Sequence, residues 1–523
     1  MTNSALASPA PRRIDLSQFE PAIVFACAFL FCFAFRVSTL NQNFWEQELV
    51  ASTAIQFDWI GLLSDRLQAG EPPLYYLMLK AFGFAGTSQL TLRLPSALLD
   101  SLGCGVFAWL AWKTSGRVGA AALVLTFACM PILIRFGQEA RPYPLLCFLF
   151  ALAIVAASFI WRAPRQAVRS VTSRQGGRHA VLLRSAIVVL ALAMIAAGWT
   201  MVIGCLAVLA LQLSVAVSPR LLRTRGFLPL WIALGAVVWL CILPCIIAVA
   251  PEWRHVAATF WTADSYTVSA NSILSDLRSI YGWPADGDLN RFFPSALEPW
   301  LGLALVVLAV IGVERNRARP PLPEIAFIAL AFPVVLFAAD MARSSVVLRY
   351  IHPSLWCLCL LTAAGAAAIA RHWAGRVALL VLALAVLLQG IDGAEAERKT
   401  SWDPFLQFFQ ANGLGDMHGY VTEPALALLV EQSVTPPIPA SRIEVDDTSE
   451  ALRASLARSI SADAPVWVLT SRPLANALAD VPQGAASCAG SIGYHVFIVV
   501  ARSFDLLPDD IRDCAHSRPA PGG

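Results

Sequence analysis

Residues 137–165 read GQEARPYPLLCFLFALAIVAASFIWRAPR. A short polar turn with Gln138, Glu139 and Arg141 leads into an apolar run over 143–161 that stops at Arg162. An α-helix needs roughly 20 such residues to cross the hydrocarbon core of a bilayer. The stretch therefore predicts a membrane-spanning helix. Beyond it, residues 162–184 carry Arg162, Arg165, Arg169, Arg174, Arg178 and Arg184 and no acid. One apolar run with a polar turn on one side and an arginine loop on the other sets the pattern for the rest of the chain.

The pattern repeats. Of 523 residues, 57% are hydrophobic and 14% charged, whereas a soluble domain carries about 25% charged residues. A mostly α, polytopic membrane protein is expected, with about eleven transmembrane helices. They lie near 21–39, 92–112, 118–134, 143–161, 183–198, 201–217, 227–250, 297–313, 322–340, 350–370 and 377–391. The net charge of +3 leaves no footprint for nucleic acid. The first run lacks a small-residue cleavage site after it and is expected to stay as a helix.

Arginine bias sets the expected orientation. Arg220, Arg223 and Arg225, then Arg315, Arg317 and Arg319, fall on the same side as the 162–184 loop and as Arg12 and Arg13. That side should be the cytoplasm. Residues 1–20 then form a cytoplasmic tail and 21–391 the transmembrane domain. The first loop (40–91), the 251–296 loop and a C-terminal domain over 392–515 should be periplasmic, with 516–523 a disordered tail. In that last domain GYV (419–421), APVWVLTS (464–471) and YHVFIVVARS (494–503) read as strands. ALALLVEQ and SEALRASLARSI read as helices between them. A small α/β domain follows. Its Cys488 and Cys514 are either a disulfide or two free thiols. No cysteine spacing in the chain suits a metal.

The outward segments gather the polar residues. The first loop begins NFWEQELVAS (43–52) and contains GEPPLYYLMLK (70–80). TLRLPSALL (91–99), GQEARPYPLL (137–146) and LRYIHP (348–353) follow. In these residues and this order the chain resembles the GT-C glycosyltransferases related to dolichyl-phosphate-mannose–protein mannosyltransferases and to bacterial lipid A aminoarabinose and galacturonic acid transferases. The resemblance covers roughly residues 21–400.

It implies transfer of a sugar, with inversion, from a polyprenyl-phosphate donor to a glycan, lipid or protein acceptor on the outer face of a bacterial inner membrane. A first-loop acid would act as base, and basic residues would hold the lipid phosphate. The physical chemistry agrees. An attacking hydroxyl must lose its proton, which a carboxylate can accept, and charge grows on the departing phosphate, which guanidinium forks suit. Glu48, Glu46 and Glu71 are the candidate catalytic acids; Arg141, Arg349 and Arg93 are the candidate phosphate ligands. Gln47, Tyr75, Tyr76, Gln138, Glu139, Tyr143, Tyr350 and His352 are candidate substrate contacts. The acids could serve a divalent ion, but no ligand spacing requires one.

Two departures bear on the assignment. Gln47 stands where the family usually has Asp, and Glu71 where it commonly has His. An amide takes no proton at neutral pH, so Glu48 becomes the first choice of base. Glu46, three residues after Asn43, also fits a capping box. Arg141 could instead close an ion pair with Glu139. Asp100, eight residues into a span, is either functional or hydrogen-bonded to a neighbouring helix. Two rival readings are a transporter of lipid-linked glycans and an inactive polyprenyl-phosphate-binding relative. No internal repeat of the kind many transporters carry is present, and the polar residues collect at one face, which favours transfer. A reporter enzyme fused after residue 400 should be active only outside the cytoplasm; activity confined to the cytoplasm overturns the orientation.

Overall fold

The structure is a computed structural model that describes residues 19–163, 178–259, 297–342, 348–395 and 409–507, apart from short stretches within them such as 42–45, 84–88 and 431–439. The chain forms two compact units. One comprises Met1–Leu40, Leu63–Met78 and Arg93–Ala396; the other comprises Asn41–Leu62, Leu79–Leu92 and Glu397–Gly523.

The described helices in chain order are α1 (Glu20–Val37), α2 (Glu46–Ala54), α3 (Trp59–Gln68), α4 (Leu74–Ala81), α5 (Gln89–Cys129), α6 (Pro131–Gly137) and α7 (Tyr143–Arg162). They continue with α8 (Arg178–Thr200), α9 (Val202–Leu213), α10 (Phe227–Thr259), α11 (Glu298–Asn316), α12 (Leu322–Ala342), α13 (His352–Ile369) and α14 (Trp373–Glu395). Among the described residues, seven helices are long and apolar enough to cross a bilayer: Glu20–Val37, Gln89–Cys129, Tyr143–Arg162, Ala180–Thr200, Phe227–Pro251, His352–Ile369 and Trp373–Ala394. The chain is a multi-pass membrane protein. Seven differs from the expected eleven for local reasons. The runs near 92–112 and 118–134 share α5, which bends at Gly116. The runs on α9 and α12 are shorter apolar stretches, and α11 carries Glu298, Glu314 and Arg315 near its ends.

The helix bundle has one large apolar core that includes Phe107, Phe127, Phe136, Trp161 and Trp356. A charged pair sits inside it. Arg36, at the end of α1, is fully buried, and its Nε donates to Asp100 Oδ2 at 2.6 Å. Its two terminal nitrogens donate to the carbonyls of Ala128 and Phe127, at 2.9 and 3.2 Å. Those carbonyls need donors because α5 ends at Cys129, Met130 is extended, and Pro131 opens α6. A continued helix would pair the Phe127 carbonyl with the N–H of residue 131, and proline has none. Arg36 supplies the missing donors and Asp100 balances its charge. The expected hydrogen bond from Asp100 to a neighbouring helix is this one. Gly137 closes the pocket: a β-carbon there would lie 2.5 Å from Arg36 Nε and 2.8 Å from Asp100 Oδ2.

In the second unit, β1 (His418–Val421), β2 (Ile443–Val445), β3 (Val466–Thr470), β4 (Ala486–Ile492) and β5 (His495–Ala501) form one sheet in the order β2-β1-β3-β5-β4. β1 runs parallel to β2 and β3, while β5 is antiparallel to β3 and β4. β3 is buried along its whole length, which is why it reads as an unbroken apolar run. One face packs Tyr420, Val468 and Ile498 with Leu452 and Leu456 of α15 (Ser449–Ser461). The other packs Val421, Trp467 and Phe497 with Phe409 and with Leu49 of α2. A first-loop helix is thus part of this core. The three expected strands and the 449–460 helix are present. β2 and β4 were not legible, because β2 is three residues long at an edge and β4 reads ASCAGSI, with no apolar run. Cys488 is disulfide-bonded; Cys514 lies outside the described residues.

Removing one partner of a buried ion pair leaves an uncompensated charge and costs about 3–5 kcal/mol, whereas replacing both by apolar groups is often close to neutral. Arg36→Met and Asp100→Leu should therefore each lower the unfolding temperature sharply in detergent, and the double variant should recover only the part due to the unpaired charge, because the Phe127 and Ala128 carbonyls stay without their donor. A double variant no more stable than either single one would contradict this account.

Candidate functional site

The candidate site of the helix bundle begins at the end of α3. Gly70, at φ +72°, takes the left-handed conformation that ends the helix. The Glu71 N–H donates to the Arg66 carbonyl at 2.9 Å and the Gly70 N–H to the Leu67 carbonyl at 3.1 Å. This is a Schellman turn. It folds Glu71 back beside Arg66, and Pro72 and Pro73 then prevent the helix from resuming. α4 starts at Leu74 and presents Tyr76 to the same carboxylate.

Three groups converge on Glu71. Arg66 Nη1 lies 3.1 Å from Oε2, and the Tyr76 hydroxyl donates to Oε2 at 2.5 Å. Arg141 Nη1 stands 3.9 Å from Oε1. Arg66 is also held by Asp65, at 2.6 Å, and its guanidinium lies 5.2 Å from the Tyr76 ring centre. Burial pushes the Glu71 carboxyl up, but Arg141, Arg66 and the hydrogen bonds from Tyr76 and Arg66 outweigh it and hold it below the ordinary carboxylate value. Burial and the neighbouring Glu71 charge push the Tyr76 phenol up, so it stays protonated and a donor.

Arg141 comes from the turn between α6 and α7. Its backbone N–H bonds the Glu139 carbonyl at 2.8 Å, but its side chain is directed at Glu71. The Glu139 carboxylate instead lies 3.6 Å from Arg135, one turn back on α6. Glu139, the alternative ion-pair partner for Arg141, lies against Arg135, and the Arg141 guanidinium stands beside Glu71. Gln138 donates to the Phe35 carbonyl and to Ser38 Oγ, clipping this turn to the end of α1. Behind it, Phe136, Tyr143 and His352 form a ring cluster with centres 5.0–5.2 Å apart. His352 opens α13, and Tyr350 is half-buried just before it.

The other expected residues are placed as follows. Tyr75 is buried and its hydroxyl is 2.7 Å from Ser96 Oγ. Arg93 is buried and donates to the Leu40 carbonyl at 2.8 Å. Glu48 is buried on α2, in the second unit. The side chains of Glu46, Gln47 and Arg349, and Asn43 as a whole, lie outside the described residues. Sequence reasoning brought Glu71, Tyr76 and Arg141 forward and counted Arg66 and Asp65 among the first loop's polar residues without giving them a role. The signal was present: a helix ended by Gly and then Pro-Pro folds the residue after the glycine onto the one five positions earlier. Among the described residues, no three His, Cys, Asp or Glu side chains cluster as a metal site.

No protein-family model matches the chain, and no curated protein does. Solved structures do. ArnT from Cupriavidus metallidurans in the apo state aligns with a TM-score of 0.54 at 14% identity, over 94% of this chain and 99% of that one. The same protein bound to undecaprenyl phosphate gives 0.53, with the same identity and coverage. The archaeal oligosaccharyltransferase AglB from Archaeoglobus fulgidus, in complex with an inhibitory peptide and a dolichol-phosphate, gives 0.51 at 12% identity, over 87% of this chain and 70% of that one. The chain has the GT-C fold. That assignment covers both units, since 94% of the chain is aligned. Within the GT-C fold of this chain, the cluster around Glu71 is where the first loop meets the GQEARPY turn.

The low-lying Glu71 carboxyl has a consequence for stability. A group held below its unfolded value stabilises the fold above the unfolded pKa, and that stabilisation is lost as pH falls through the folded one. The unfolding temperature of the wild-type protein should therefore drop as pH is taken below about 4.3, the ordinary glutamate value. Glu71→Gln should be less stable than wild type at pH 7 and show a smaller drop. Parallel pH curves for the two would remove the proposed coupling.

Proposed function

We propose that the protein is a membrane glycosyltransferase that uses a polyprenyl-phosphate-linked sugar and modifies an envelope glycan, lipid or protein on the extracytoplasmic side. The observation that carries this reading is the pair of buried guanidiniums, Arg66 and Arg141, converging on Glu71 within a GT-C fold. Undecaprenyl phosphate and dolichol-phosphate are the ligands named for the similar structures, and the phosphate of such a lipid needs what this cluster has.

Glu71 is the positioning carboxylate. With Arg66, Arg141 and Tyr76 around it, its lone pairs are engaged and its basicity is lowered, so it is poorly suited to take a proton. Its role is to keep two like charges together in a buried place until a phosphate arrives to share them. As the glycosidic bond to the phosphate breaks, charge grows on the phosphate oxygens, and the guanidiniums stabilise that charge more strongly than they stabilise the donor's ground state. Glu48 is assigned as the base that removes the acceptor hydroxyl proton, in place of the amide Gln47. Arg93 and Arg349 are reserve phosphate ligands. Inversion follows from a single direct displacement at the anomeric carbon.

Charge-assisted hydrogen bonds contribute about 1.5–3 kcal/mol each, so Arg141→Ala and Arg66→Ala should each weaken binding of undecaprenyl phosphate by roughly 10–100-fold. Glu48→Gln should leave that binding in place and lower sugar transfer by about 100-fold or more, the usual contribution of a general base. The measurement is lipid binding in nanodiscs together with transfer from radiolabelled polyprenyl-phosphate sugars in vesicles. Wild-type lipid binding by Arg141→Ala, or wild-type transfer by Glu48→Gln, overturns the corresponding role.

A further inference from the structure

The sheet of the second unit has a feature the proposed transfer reaction does not use. β1 is followed by β2 on one side, and β2 by β3 on the other, so the order in which parallel strands are added switches direction between β1 and β3. Beyond the carboxyl ends of parallel strands, at such a switch point, open α/β sheets bind their ligands. Three polar residues stand there in register. Val421 pairs with Val445 and with Leu469, so Thr422, Asp446 and Thr470 are the next residues along β1, β2 and β3.

Hydrogen bonds hold that register past the strand ends: Thr422 N–H to the Leu469 carbonyl at 3.2 Å, and Asp446 N–H to the Val421 carbonyl at 2.8 Å. By the two-residue period of strands, these side chains share the face of Tyr420 and Val468, the face that α15 covers. The Thr422 and Thr470 hydroxyls are 3.0 Å apart. All three residues are buried, Asp446 being only 6% exposed, and Asp446 Oδ2 has no hydrogen-bond partner. A buried carboxylate oxygen left without a donor is costly, and no arginine or lysine forms an ion pair with it among the described residues.

We propose that Thr422, Asp446 and Thr470 form a carbohydrate-binding subsite for a sugar that presents two vicinal hydroxyl groups. Asp446 accepts hydrogen bonds from the diol, and the Thr422 hydroxyl, already donating to Thr470, offers an acceptor to the next hydroxyl. The strand position is that of the acid which accepts from a ribose hydroxyl in dinucleotide-binding folds. The segment after β1 reads TEPALA from Thr422 and has no glycine-rich turn to receive a pyrophosphate. A glycan sugar fits this chemistry and a nucleotide does not. The subsite involves binding only, with no bond made or broken, and it stands whether or not the chain transfers sugar.

The test uses full-length protein in nanodiscs on an array of bacterial envelope oligosaccharides, beside the same array after mild periodate oxidation, which cleaves vicinal diols. At least one glycan should bind, and oxidation should abolish its binding. Asp446→Asn, which keeps the shape, should weaken binding tenfold or more, and Thr422→Val severalfold. Arg141→Ala should bind glycan as wild type does, which separates this site from the donor-phosphate cluster. Unfolding temperatures show which variants retain the fold, and either folded variant decides the matter. Failure of the wild type to bind any glycan overturns the proposal. So does undiminished binding by Asp446→Asn with a lowered unfolding temperature, which assigns the carboxylate to the start of α15 instead. An Asp446-dependent rise in unfolding temperature with calcium, without glycan binding, makes it a cation site and equally overturns it.

Discussion

Everything in the helix bundle that faces the candidate site depends on a buried charge being neutralised where a helix breaks. α5 must end before Pro131, and its last carbonyls would otherwise be stranded in an apolar core. Arg36 reaches them from α1, and Asp100, from the middle of α5, keeps Arg36 from being an isolated cation. The break permits the short helix α6, and α6 delivers the turn bearing Gln138, Glu139 and Arg141. Without the break, residues 131–142 would continue as helix and Arg141 would not reach Glu71. A charge pair inside a membrane protein, read alone as an anomaly, is here what holds a non-helical turn in place.

The candidate site follows a related logic at its wetter end. Glu71, Arg66, Asp65, Tyr76 and Arg141 satisfy one another closely enough that the cluster can exist without a ligand. The contact of Arg66 with Glu71 is short and that of Arg141 is long. In the proposed role, a phosphate would meet both guanidiniums beside a single carboxylate. The same carboxylate that steadies the arginines is thereby removed from contention as a strong base.

Much of this was legible in the chain. Apolar runs and arginine loops are properties of contiguous residues, so the helices fell where hydropathy put them, and β3 and β5 were visible as unbroken apolar stretches. PPLYY and QEARPY marked two of the segments that carry polar residues to the site. The number of residues per crossing was less legible. One long helix can hold two runs when a glycine bends it, and short apolar helices give runs as clear as long ones. Arg66 was given no role because its role depends on a turn, and Asp446 because two adjacent acids after a three-residue edge strand carry no pattern that singles one out.

The sequence by itself determined that this is a multi-pass membrane protein with a small α/β unit, because burial in lipid or in a sheet is written residue by residue in polarity. It could not determine the pairings. Arg36 and Asp100 are 64 positions apart, and Thr422 and Thr470 are 48 apart; Glu71 and Arg141 are separated by three intervening helices, α4, α5 and α6. Which charges meet is fixed by which elements pack and where they break, and only the tertiary structure decides that. The physical reason is range: solvation acts on each side chain where it stands, while a salt bridge or a hydroxyl pair requires two distant pieces of backbone to arrive within about 3 Å of each other.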